Sequence, residues 1–147
     1  EFRQGDNRSG EVELFRPSEG GGPGLSATTL LLRMDDEDQW QVFAAVNPNI
    51  TIDSPQPDEE VPAGPVAVTG SGRGFEALIT ARAYDESGTL VAEAFGMGGS
   101  AETPEPFEIT LDLAGVDPGT LLTLVVAGGT GLDRDPGELS AIRFTVS

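Results

Sequence analysis

Apolar and polar residues alternate with period two along much of this chain, and from residue 50 onward no segment shows the 3.6-residue recurrence of a helix. The cleanest stretch is 107–113, where Phe107, Ile109, Leu111 and Leu113 alternate with Glu108, Thr110 and Asp112. That spacing predicts a strand with one buried and one wet face. Segment 77–84 alternates likewise, with Ala77, Ile79, Ala81 and Ala83 on one side. Asp85-Glu86-Ser87-Gly88 then turns the chain into a partner strand over 89–95. Short strands are predicted at 50–53, 66–70 and 141–146, the last with Ile142, Phe144 and Val146 facing in. Segment 121–127 is nearly all apolar, which predicts a central strand covered on both faces. Phe107, Ile109, Leu111, Leu124, Val126, Ile142 and Phe144 are the expected common core. Seven short strands in about 100 residues, with Pro, Gly and Asp turns between them, predict an antiparallel β-sandwich.

Residues 1–48 have a different texture. The first ten are polar and are expected to fray. A short strand is predicted at 11–16, then a flexible loop at 18–26, which holds four glycines and a proline. Two apolar runs, 27–34 and 40–46, flank Asp35-Asp36-Glu37-Asp38 and predict a β-hairpin. This N-terminal extension is either the remnant of a preceding domain or a set of extra strands on the sandwich. The second reading is preferred, because so small a hairpin must bury Trp40 and Phe43 to stay soluble.

Composition narrows the chemistry. The 147 residues include no histidine and no cysteine, and 25 acids face eight bases for a net charge of −17. Without His or Cys, the common zinc, copper and iron–sulfur sites and the Ser-His and Cys-His nucleophile systems are excluded. The charge argues against nucleic acid as a partner. No apolar run approaches the 18 residues of a membrane helix, so no membrane insertion by this segment is expected. No cofactor is expected either.

The stretch Ile50-Thr51-Ile52-Asp53-Ser54-Pro55-Gln56-Pro57, then Pro65 to Gly70, Gly72-Arg73-Gly74-Phe75-Glu76, Asp85 to Gly88, Pro106-Phe107-Glu108 and the closing 142–146 strand follow one another in a particular order. In that order and spacing, residues 49–147 resemble the immunoglobulin-like domain of bacterial spore germination proteins. The resemblance implies an all-β, immunoglobulin-like sandwich of about seven strands. It also implies a non-catalytic interaction module, extracytoplasmic and at the cell surface or secreted. Anchoring would be through a removed N-terminal segment, such as a lipid-bearing one. The partner would be a protein or another envelope component. Two alternatives stay open: an accessory domain of a larger cell-wall enzyme whose catalytic part is absent, and a calcium-dependent adhesion module.

Candidate residues are few. Arg73, with Phe75 and Glu76, is the candidate binding group, expected at the turn after the second strand of the domain. The competing role for Arg73 is a local partner for Glu76 or a carbonyl. Asp133, Asp135 and Glu138 are weak calcium candidates, since three carboxylates at this spacing can converge as oxygen ligands. The four acids 35–38 lack such spacing and read as a solvated turn. Gly96, Met97, Gly98 and Gly99 read as a flexible loop.

Overall fold

The computed structural model describes residues 1–5, 8–15, 26–100, 102–131 and 137–147. Period-two alternation becomes strand throughout: β1 (Phe2–Gln4), β2 (Ser9–Phe15), β3 (Ser26–Met34), β4 (Trp40–Val46), β5 (Ile50–Ser54), β6 (Glu60–Val61), β7 (Pro65–Gly74), β8 (Leu78–Tyr84), β9 (Leu90–Met97), β10 (Gly99–Ser100), β11 (Glu105–Asp112), β12 (Leu121–Gly128) and β13 (Glu138–Val146). Among the described residues the one helical element is a 3₁₀ turn at Phe75–Ala77. The strands make two sheets. The larger runs β1-β2-β3-β4-β13-β12-β8-β9, with β6 alongside β13; the smaller holds β10, β7, β11 and β5. Pairing is antiparallel apart from two short parallel matches, β10 with β7 and β6 with β13.

The sheets face each other as a sandwich. Phe107, Ile109, Leu111 and Leu113 join Ile79, Ala81, Leu122, Leu124, Val126, Ile142, Phe144 and Val146 in one buried cluster. The seven residues expected in the core are all in it. Glu108, Thr110 and Asp112 stay exposed on the outer face of β11. Strand β12 differs from expectation. Leu122, Leu124 and Val126 are fully buried, but Leu121, Thr123, Val125 and Ala127 are only half covered, because among the described residues no layer lies over that side.

The N-terminal segment departs further from its sequence pattern. Instead of a frayed end and a hairpin it forms four strands, since β1 adds to the edge of β2 through Phe2↔Val12 and Gln4↔Gly10. Ladder hydrogen bonds supply order that the polar sequence does not signal. Strand β4 pairs with β13 at Ala44↔Ile142 and Ala45↔Ala141, so these strands extend the larger sheet. Among the described side chains of β1–β4, Ala44 joins the buried cluster, with Leu31 and Phe43 packed against it. Trp40 was expected to be buried and is instead 40% exposed. The glycines at 96–99 are not a loop either; they lie in or between β9 and β10. A Cβ on Gly96 would sit 2.5 Å from Ile109 Cγ1, and one on Gly99 1.9 Å from the Thr103 carbonyl oxygen. Close approach requires them, not flexibility.

Candidate functional site

The site begins where β7 ends. Strand β7 crowds its neighbours: a Cβ on Gly74 would lie 2.3 Å from the Leu78 carbonyl oxygen, and one on Gly128 1.8 Å from that of Arg73. The chain then turns sharply through Phe75–Ala77. Glu76 (φ 54°) and Ala77 (φ 62°) both take the left-handed conformation, which costs a non-glycine residue about 1 kcal/mol or more. The turn is held by its surroundings. The Phe75 N–H donates to the Gly129 carbonyl at 2.7 Å, and the Gly98 N–H donates to the Ala77 carbonyl at 2.8 Å. Phe75 is thereby presented to solvent, 57% exposed, with Glu76 exposed beside it.

Arg73 lies within β7, not in the turn expected for it. Its Nε and Nη2 donate to the two carboxylate oxygens of Glu138, both at 3.1 Å, and its Nη1 donates to the Glu102 carbonyl at 2.8 Å. This is a two-pronged Arg–carboxylate pair, the stronger kind of ion pair, and it is mostly shielded, with side chains 26% and 19% exposed. Hydrogen bonding to Glu138 raises the already high pKa of the guanidinium, against the opposing effect of burial. Asn49 Nδ2 also donates to Glu138, at 2.8 Å. Arg73 therefore acts as a strut joining β7, β13 and the chain at residue 102. Its partner is Glu138, 65 residues away, and not Glu76.

Around this strut lies a depression of ≈ 450 Å³, lined by Arg73, Phe75, Glu76, Ser100, Glu138 and residues 128–130. The structure thus brings Arg73, Phe75 and Glu76 to one pocket with Glu138, which the sequence placed in a different, calcium-binding set. The other members of that set, Asp133 and Asp135, lie outside the described residues. The oxygens of Glu138 are turned to Arg73 and Asn49. Among the described residues no group of three acidic, His or Cys side chains is placed to hold a metal. The acids 35–38 form the β3–β4 turn. Asp35 Oδ1 accepts the N–H groups of Glu37 and Gln39 at 3.0 and 2.8 Å. Those bonds, that from Gln39 foremost, hold the Asp35 carboxyl below the usual range.

Sequence reasoning missed Asn49, Glu102 and Ser100, whose contributions depend on pairing across the sheets. The one visible signal was Gly128-Gly129 closing an apolar strand. A second depression, of ≈ 410 Å³, lies on the N-terminal strands beside Arg3, Leu31, Leu32 and Phe43. There the Arg33 guanidinium stacks 4.0 Å above the Phe43 ring. No helix among the described residues is long and apolar enough to cross a membrane.

A family model described as the immunoglobulin-like domain of bacterial spore germination matches residues 49–128. The match ends with β12, and the resemblance read from the sequence runs on through β13. No curated protein and no solved structure matches the chain.

Proposed function

Because the chain belongs to the family of immunoglobulin-like domains of bacterial spore germination, we propose that it works outside the cytoplasm as a non-catalytic interaction module. Residues 49–147 are the recognition unit in this reading and residues 1–48 an extension of it. The partner is a protein or another component of the cell envelope. The observation that carries the reading is the turn at Phe75–Ala77. A strained backbone, fixed from two sides, holds an aromatic ring in solvent at the rim of a pocket. Strain of this kind persists only where the surroundings impose it, and it gathers at ligand clamps. Arg73 and Glu138 serve as positioning residues, and Phe75 and Glu76 as the contacts. Loops and turns on a rigid sheet scaffold are where such modules bind. The composition fits: with no histidine or cysteine, the Ser-His and Cys-His nucleophile systems are excluded.

The test is a photo-crosslinking amino acid placed at position 75 of the full-length protein in intact bacteria, with position 110 on β11 as the control. The reading predicts a discrete crosslinked species from position 75 and none from 110. It also predicts labelling of the protein by a membrane-impermeant reagent. Equal crosslinking from both positions, or protection from the reagent in intact cells, contradicts it.

A further inference from the structure

We propose that the outer face of β8 and β9, at the same end as the pocket, docks a basic and apolar segment of a partner protein, with a lysine or arginine side chain received between Phe75 and Glu76. The inference rests on the reading of this chain as an interaction module and adds the chemistry of the partner. Leu78 lies directly opposite Met97, and Thr80 directly opposite both Phe95 and Ala127. Directly opposed residues, and residues two apart, share one face of a sheet. Leu78, three residues downstream of Phe75, therefore forms one patch with Phe95 and Met97. They are 42%, 56% and 64% exposed. The core does not need them: the other face of β9 meets it through Ala92, Ala94 and Gly96. Outward positions of a sandwich strand ordinarily carry polar side chains, as Glu108, Thr110 and Asp112 do on β11. Several large apolar side chains gathered on one wet face mark an interaction surface.

Charge selects the occupant. The two arginines near this face are engaged within the molecule, Arg82 with Glu93 and Arg73 with Glu138. Glu76 and Glu105 are exposed and in no ion pair among the described residues. A second copy carries the same net charge of −17 and is repelled, as is an anionic lipid surface. A basic side chain is attracted. Its stem can lie on the Phe75 ring while its cation sits over the ring face and beside the Glu76 carboxylate.

The experiment is an amide-resolved NMR titration of the full chain with three synthetic hexapeptide amides: alternating Lys-Val, alternating Lys-Ser and alternating Glu-Val. The expected result is that Lys-Val shifts the amides of residues 75–80, 95–97 and 127–131, with Lys-Ser at least tenfold weaker and Glu-Val silent. Phe75→Ser and Met97→Ser should each raise the Kd for Lys-Val about tenfold. Both sites are exposed, and unchanged core resonances in each variant will show that the fold is kept. The proposal is overturned if Lys-Ser binds as well as Lys-Val, if the shifts scatter over the acidic surface, or if both variants bind normally. A concentration-dependent dimer abolished by Met97→Ser overturns it in favour of a second copy. Failure of all three peptides while position 75 still captures a discrete partner in cells removes the basic-segment proposal alone. Failure of both experiments removes the interaction reading with it.

Discussion

The strands β5–β13 are stacked in two layers, whereas β1–β4 form one. Both regions use the same materials: period-two strands, tight acidic turns and apolar residues such as Val42, Leu14 and Trp40 that resemble those of the core in kind. The difference lies in what covers them. In the sandwich, Phe144, Leu124 and Ile109 are essentially inaccessible because two sheets face each other. Among the described residues no second sheet faces β1–β3 and the start of β4, and Leu14, Phe15, Trp40, Val42 and Val46 are 40–49% exposed. Pattern makes a strand; a facing layer makes a core. The single-layer strands depend on the sandwich through β4–β13 pairing and a few polar links. These include Thr28 Oγ1 donating to the Leu139 carbonyl at 2.9 Å and the exposed Arg33–Asp58 contact at 3.9 Å.

The largest expected effect sets the two regions against each other. Phe107→Ala removes a buried ring and should cost about 3–5 kcal/mol, whereas Trp40→Ala should cost under about 1 kcal/mol. Urea midpoints measure both, and equal losses would break the distinction. Next comes the joint. Ser140 is buried; its Oγ accepts the Asn47 N–H at 2.9 Å and donates to the Ile50 carbonyl at 2.5 Å, where the chain passes from one sheet to the other. Ser140→Ala strands both groups and should cost about 1–3 kcal/mol. The same variant should be more sensitive to protease near residues 46–50.

The two regions also share one turn design, which gives the smaller effects. In each, the aspartate N–H donates to the carbonyl four residues on, and the fourth residue donates back to the aspartate carbonyl. The sets are Asp35–Asp38–Gln39 and Asp85–Gly88–Thr89. The fourth residue is left-handed in both: Asp38 at φ 59°, Gly88 at φ 80°. Gly88→Ala should therefore destabilise by about 1 kcal/mol, and Asp38→Gly should stabilise by about 0.5 kcal/mol despite losing its exposed contact with Arg8. Thermal melts of the two variants test the pair, and shifts of the same sign would contradict it. Both aspartates are held below the ordinary carboxylate pKa, Asp85 first by the Ser87 hydroxyl and Asp35 first by the Gln39 N–H. A lowered folded-state pKa contributes stability above the unfolded value, near 3.9, that is lost as pH falls through the folded value. Asp85→Asn should flatten the acid limb of stability below about pH 4, read from urea midpoints at stepped pH.

Where burial decided the structure, the residues showed it beforehand. Phe107 to Leu113 and Ile142 to Val146 announce their faces by alternation, and the core built on them follows. Where pairing decided, they did not. Nothing in Arg73 points to Glu138, since the two meet only after β7 and β13 are placed in facing sheets. Gly96 to Gly99 read as a loop because a glycine required by close packing looks the same in sequence as one that frees a turn. The polar start became β1 because the edge of β2 offered a ladder, which has no side-chain signature. The candidate site was half legible. The Gly-Arg-Gly-Phe-Glu run drew attention to the right turn, but its strut, pocket and flanking apolar patch came from register.

One covered core carries the molecule, and the single-layer strands lean on it. Hydrogen–deuterium exchange on the intact chain tests this most directly. The slowest amides should lie in β7, β8, β11, β12 and β13, at rates near those of global unfolding. Exchange should be at least about a hundredfold faster in β2 and β3, through local opening. Uniform protection from β2 through β13 would show one cooperative unit and contradict this.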